Sequence, residues 1–135
     1  LEKEIQLSDP TGTFVTQYSF IHIDNIPRVL SESDLFIFAS SCENMPNTLI
    51  EGMASGIPII CSNRGPMPEV LKDGGIYFDP EDIDSIVDSI IKIISNKTLR
   101  EVMTMKSLNL ASLYSWSRCS SETLRFISNI YKQLV

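Results

Sequence analysis

Two continuous apolar runs stand out along the chain, Leu35-Phe36-Ile37-Phe38-Ala39 and Ile57-Pro58-Ile59-Ile60-Cys61. Neither alternates between apolar and polar positions. An unalternating run of strand length suits a strand covered on both faces, as in a parallel sheet. Pro58 belongs at the start of its strand, where no ladder hydrogen bond is lost. Between the runs, Thr48 to Ser55 reads as a helix ended by Gly56. Strand, helix and strand in so short a span make a βαβ unit with a right-handed crossover.

Flanking segments extend this pattern. Ser8 to Gly12 is a turn cluster, and Phe14 to Thr16 and Tyr18 to Ile23 are β-prone. Ile26 to Ser33 predicts a short helix with Pro27 in its first turn. Ser62 to Pro68 holds two prolines and a glycine and reads as a loop. Glu69 to Lys72 predicts one helical turn, closed by Asp73-Gly74-Gly75, and Ile76 to Phe78 a short strand. Asp79-Pro80 then starts a helix in which Ile83, Ile86, Val87, Ile90, Ile91 and Ile94 recur at helical spacing. That stripe is read as core, as are Trp116, Met53 and Met67. Thr98 to Leu113 is a further helix, Tyr114 to Ser117 breaks it, and a last helix runs from Arg118 to Leu134. The predicted fold class is α/β: a Rossmann-like parallel sheet flanked by helices, one unit over residues 1–135.

Composition narrows the partners. The chain has 135 residues and a net charge of −6, with its 11 Lys and Arg scattered singly. Phosphate backbones require clustered basic residues, so nucleic acid is excluded as a partner. Three widely spaced cysteines and one histidine offer no zinc-ligand spacing. Cys42 and Cys61 lie at or beside apolar runs and read as small hydrophobes in a reducing compartment. No apolar run approaches the roughly 20 residues that span a bilayer. The expected location is cytoplasmic, either free or at the inner face of the membrane. The chain begins with Leu1, and a segment upstream of it is expected.

The candidate chemistry lies in the loop between the first strand and its helix. Open α/β sheets bind ligands outside the carboxyl ends of their strands. The helix that follows points free N–H groups and its dipole at that crevice, which makes an anion site. Glu43 precedes the helix. Glu51 lies about one turn inside it, roughly 6 Å along the axis with Asn47 as the N-cap. Carboxylates cannot hold a phosphate, but they accept hydrogen bonds from sugar hydroxyls on either side of one. A diphosphate with a ribose at one end and a hexose at the other fits this order.

Glu43, seven intervening residues and Glu51 resemble the paired-glutamate motif of family 4 retaining glycosyltransferases, the group 1 glycosyltransferases of GT-B fold. Ser33 to Ser40 is similar to the strand entering that motif, and Glu51 to Ile60 to its helix and next strand. Pro68-Glu69-Val70-Leu71, Phe78-Asp79-Pro80 and Tyr114-Ser115-Trp116 resemble later landmarks, so the likeness covers residues 26–135. It implies the second half of the C-terminal nucleotide-sugar-binding domain. Its implied donor is a nucleoside diphosphate sugar and its acceptor a carbohydrate or glycolipid, with no metal or cofactor. Glu51 would bind the ribose hydroxyls. Glu43, the catalytic residue, would contact the donor sugar. Asn44, Met45, Asn47, Thr48 and Leu49 would line the donor, their amides holding sugar and diphosphate. Many relatives carry Gly-Phe-Gly after the first glutamate; here Asn44-Met45-Pro46-Asn47 stands there, and Pro46 has no N–H. The family's basic pair, which neutralises the diphosphate, has no match in Leu1 to Phe20. The acceptor-binding N-terminal domain is likewise expected outside this sequence, and the chain alone is expected to be inactive.

Two rival readings stand beside this one. A glycoside hydrolase would set Glu43 and Glu51 about 5–10 Å apart across one glycosidic bond, which an anion-binding helix terminus disfavours. A non-catalytic α/β module that binds nucleotide or sugar is the other. Arg64, after the second strand, is a candidate phosphate or sugar contact. Glu69 is read as capping or supporting its loop, and His22 as structural or solvated.

Overall fold

A computed structural model describes residues 2–134. Strands β1 (Phe36–Phe38), β2 (Ile59–Ser62) and β3 (Ile76–Phe78) form a three-stranded sheet in the order β1-β2-β3. Phe36, Ile37 and Phe38 pair in parallel with Ile59, Ile60 and Cys61. Ile60, Cys61 and Ser62 pair in parallel with Ile76, Tyr77 and Phe78. The two apolar runs are therefore adjacent parallel strands, as their pattern predicts. All four residues of β2 are buried, because this strand has a neighbour on each side and helices on each face. β1 departs from the two-sided cover predicted for it. It is a sheet edge, and Ile37 is 43% exposed on the face that no helix of the described residues covers.

The helices are α1 (Glu2–Ser8), α2 (Ile26–Ser31), α3 (Asn47–Ala54), α4 (Met67–Leu71), α5 (Ile83–Ser95), α6 (Lys97–Ala111) and α7 (Trp116–Leu134). On one face of the sheet, Leu49 and Met53 of α3 and Met67, Val70 and Leu71 of α4 pack on Ile59 and Cys61. Ala111 of α6 closes this cluster. On the other face, Ile93 of α5 joins Ile60, Ile76 and Phe78, with Ile86, Ile90, Leu99 and Met103 half-buried around them. Each fully buried side chain of this kind contributes about 1.5–3 kcal/mol. α3 lies hard against β1: a Cβ on Gly52 would sit 2.5 Å from the Phe36 ring. Gly56 follows the helix at φ 70°, the left-handed conformation that ends helices and suits glycine.

Several expectations are corrected. Residues 14–16 and 18–23 form no strand. A strand needs a ladder partner, and the edge of β1 is unpaired in the described residues. A local competitor wins at the start of this segment. The Asp9 carboxylate accepts from the Thr13, Phe14 and Val15 amides at 2.9, 2.8 and 2.7 Å and from the Thr13 hydroxyl at 3.1 Å. Burial opposes the charge, but these bonds outweigh it and set the Asp9 pKa at about 2. The helix predicted from Asp79-Pro80 begins at Ile83, because the Asp82 side chain caps it through the Asp84 amide at 3.0 Å.

The stripe of α5 is only partly core. Ile83 is 77% exposed, and Val87, Ile91 and Ile94 are also exposed. The apolar arc of α5 is wider than the strip of sheet it covers. Trp116, expected in the core, is 80% exposed at the start of α7, which buries none of its residues. Met53 and Met67 are fully buried, as read. Cys61 is buried while Cys42 is exposed, so the small-hydrophobe reading holds for Cys61 alone.

Candidate functional site

Because the three strands are parallel, their carboxyl ends meet at one edge of the sheet. Three loops leave that edge: 39–46 after β1, 63–66 after β2 and 79–82 after β3. The first carries Glu43 and leads into α3. Glu43 is half-buried. Glu51 is half-buried in the second turn of α3 and forms part of the wall of a cleft of about 250 Å³. The rest of that wall is largely apolar: Ile23, Ile26, Pro27 and Leu30 from the α2 side, Ala54 and Ser55 from α3. Glu43 is not part of this wall, so the two carboxylates serve different ground on the same loop–helix unit.

The other predicted residues divide between surface and core. Asn44, Asn47 and Thr48 expose their side chains, and Met45 is 45% exposed. Leu49 is fully buried in the core, so only its backbone faces outward chemistry. Asn47 is not the N-cap expected of it. It is the first residue of α3, and Pro46 stands at the cap with no side-chain bond. The Asn47 amide donates to Met45 O at 2.9 Å, and the Leu49 and Ile50 amides to Pro46 O at 3.0 and 3.2 Å. This turn closes the helix entry without help from a side chain. Of the first three amides of α3, Thr48 alone has no backbone acceptor among the described residues. The anion-binding capacity of this terminus is thereby narrowed to one N–H and the dipole.

Arg64 is already committed elsewhere. Its Nη2 donates to both Asp79 oxygens at 2.9 and 3.0 Å and to Glu81 Oε2 at 3.3 Å. This pairing fastens the loop after β2 to the loop after β3. The Glu81 amide, and then Arg64, hold the Asp79 carboxyl below the usual range against its partial burial. His22 is exposed, and its Nδ1 accepts from the Asp24 amide at 3.4 Å, consistent with a structural role. Glu69 is exposed in the first turn of α4. Burial pushes the Cys61 thiol up to about 12 and keeps it un-ionised. Among the described residues no three His, Cys, Asp or Glu side chains gather in a metal-binding group. No helix among them is long and apolar enough to cross a membrane.

Sequence reasoning missed the cleft beside Glu51. Ile26 and Pro27 read correctly as a short helix, but nothing local says that this helix docks beside α3. The one available signal is the cluster Ile23, Ile26 and Leu30, an apolar face of helical spacing.

Comparisons with known proteins converge on one family. The family model of glycosyl transferases group 1 matches residues 10–108. The chain is 29% identical over 121 residues to the O-antigen chain mannosyltransferase B of Escherichia coli, covering 90% of this chain and 31% of that protein. It thus spans about a third of that relative's length. Among solved structures, the sucrose-phosphate synthase of Thermosynechococcus elongatus superposes with a TM-score of 0.83 at 17% identity, over 98% of this chain and 34% of its own. Anabaena HepE, solved in complex with UDP and glucose, superposes with a TM-score of 0.80 at 17% identity, over 95% and 36%. At such identities these structures speak for the fold, that of the C-terminal part of GT-B enzymes. With its parallel sheet, its glutamate-bearing loop and helix, and a family match over most of its length, the chain belongs to the group 1 glycosyl transferases.

Proposed function

We propose that this chain is the donor-binding portion of a family 4 retaining glycosyltransferase. The complete enzyme moves a hexose from a nucleoside diphosphate sugar to a hydroxyl of a carbohydrate or glycolipid acceptor, in polysaccharide or glycolipid assembly. The observation that carries this reading is the placement of Glu51. A carboxylate on the wall of an apolar cleft of about 250 Å³ suits a nucleoside. The base lies against Ile23, Pro27 and Leu30, and the ribose hydroxyls donate to Glu51. The diphosphate then reaches the start of α3 and the Thr48 N–H, and the hexose reaches Glu43. The UDP and glucose bound by HepE support this class of donor.

In this reading the protein acts by placement. Holding donor and acceptor in one geometry removes most of the entropic barrier. The helix dipole stabilises the charge that grows on the departing diphosphate. Arg64 contributes by fixing the crevice loops through Asp79 and Glu81, not as a phosphate ligand. The basic groups that neutralise the diphosphate, and the acceptor-binding domain, belong to a part of the enzyme outside this sequence. The enzyme is cytoplasmic, free or at the inner face of the membrane, and needs neither metal nor cofactor.

The test is calorimetry of the complete enzyme with UDP- and GDP-hexoses, followed by NMR of the product. Tight binding of one donor and an unchanged anomeric configuration in the product are expected. An inverted product, or hydrolysis of simple glycosides in place of transfer, would overturn the reading.

A further inference from the structure

Of the six glycines in the chain, only Gly52 lies inside a helix. Backbone entropy makes glycine a poor helix residue and alanine the best one, so its presence in α3 calls for a reason. The neighbouring strand supplies it. A Cβ at this position would lie 2.5 Å from Phe36 Cδ1, 2.6 Å from Cε1 and 3.3 Å from Cγ. Carbon atoms settle at about 3.5–4.0 Å, so α3 or the ring would have to give by about 1 Å. The ring is not loose. It packs against the cluster that contains Leu49 and Met53, and the Phe38 ring stands 6.0 Å away. Part of the movement therefore falls on α3.

Such a movement reaches the cleft. The buried side of α3 is Leu49, Gly52 and Met53, while Glu51, Ala54 and Ser55 stand in the cleft wall. These residues ride on one helix, so Glu51 moves when Gly52 does. Ser55 is tied to it more directly. Its hydroxyl donates to the Gly52 carbonyl at 2.7 Å, and its amide to the Glu51 and Gly52 carbonyls at 3.0 and 3.3 Å. The opposite wall, α2, is tied to β1. Only residues 32–35 join them. The Ser33 amide donates to the Leu30 carbonyl at 3.0 Å and its hydroxyl to the Val29 carbonyl at 2.8 Å. At the far end of this connection the Phe36 amide donates to the Pro58 carbonyl at 2.9 Å. Both walls are thus referred to β1, one through a short pinned connection and the other through the contact of Gly52 with Phe36. The distance from α3 to β1 sets the gap between them.

We propose that Gly52 is a positioning residue of the donor site. Its bare Cα lets α3 seat against Phe36, and that seating fixes the reach of the Glu51 carboxylate into the cleft. The inference rests on the reading of Glu51 as the ribose ligand. Gly52 touches no part of the donor. It acts through Glu51, whose hydrogen bonds to the ribose hydroxyls tolerate only a few tenths of an ångström in length.

Calorimetry of the complete enzyme with UDP and GDP, beside thermal melts, tests it. Gly52→Ala is expected to weaken the nucleotide that binds about tenfold, because a shift of about 1 Å takes a hydrogen bond out of range. Phe36→Val removes the crowding ring atoms, and in the Gly52→Ala background it is expected to restore affinity to within about threefold of the parent. Glu51→Ala/Gly52→Ala is expected to bind no more weakly than Glu51→Ala alone, since both changes remove one contact. A role in packing alone would lower Tm and leave the folded variant with parental affinity, and that result overturns the proposal. Additive losses in the double variant overturn it as well. Should Gly52→Ala not fold, Gly52→Ala/Phe36→Val carries the test: a pair that stays unfolded, or binds about tenfold more weakly than the parent, is fatal to the idea. Glu51→Ala by itself separates this inference from the reading beneath it. Unchanged affinity there would sink the donor reading, whereas a loss there with none in Gly52→Ala would sink only the role of Gly52.

Discussion

Removing the Glu51 carboxylate tests the donor site with little disturbance to the fold. Glu51→Ala leaves the backbone of α3 in place, since the Glu51 carbonyl still accepts from the Ser55 amide at 3.0 Å. Alanine is at least as good a helix former as glutamate. Among the described residues the Glu51 carboxylate makes no ion pair, so its loss costs the folded chain within about 0.5 kcal/mol. Nucleotide binding is different. In the proposed complex two ribose hydroxyls share this carboxylate, and hydrogen bonds to a charged group are worth about 1.5–3 kcal/mol. The expected change in the complete enzyme is therefore about 10- to 150-fold in Kd for UDP or GDP. Calorimetry measures it, and a thermal melt of the same variant checks that Tm is unchanged. Equal affinity in parent and variant, with Tm intact, would show that Glu51 does not touch the nucleotide. A fallen Tm with a proportionate loss of binding would assign Glu51 to the fold instead.

Other outcomes follow from the same structure. Glu43→Gln in the complete enzyme should lower kcat about tenfold or more while free UDP affinity stays within about twofold, as steady-state kinetics and calorimetry together will show. The chain by itself should transfer no sugar and bind nucleotides only in the millimolar range, about 4 kcal/mol or less, because one helix terminus contributes little at an exposed site; micromolar binding would contradict it. Asp9 has a folded pKa of about 2, below its ordinary 3.8, so its contribution is complete above pH 3.8 and is lost as pH falls through 2. Hydrogen exchange at the Thr13, Phe14 and Val15 amides should therefore stay protected at pH 3, and Asp9→Asn should expose them. Iodoacetamide at pH 8 should label Cys42 and Cys119 in the native chain, with Cys61 labelled only after denaturation, as read by mass spectrometry.

The sheet was legible because its signals are local. Unbroken apolar runs gave β1 and β2, and Ile76 to Phe78 gave β3 at the bounds observed. The place of the two glutamates along the fold was legible in the same way: Glu43 precedes α3 and Glu51 lies inside it. What stayed hidden depends on docking. The cleft beside Glu51 exists only because α2 settles beside α3. Apolar character was also a poor guide to depth. Ile83 and Trp116 carry the pattern of core residues, yet burial requires a surface opposite, and the described residues provide none. Residues 14–23 make the same point for strands, where β-propensity without a ladder partner yields to the hydrogen bonds that Asp9 offers nearby.

The strand order follows the chain order, and this has a consequence for how the unit forms. β1 meets β2 across the segment from Ala39 to Pro58, and β2 meets β3 across Asn63 to Gly75. Each closure is short, so the entropic toll of bringing its ends together is small and grows only logarithmically with length. Short-range pairings also fold faster than distant ones. The βαβ hairpin-like step from β1 to β2 and its extension to β3 can thus condense in succession as the polypeptide emerges. The crevice edge, with all three of its loops, would then take shape as one cooperative block, and α7 would be the last piece to settle.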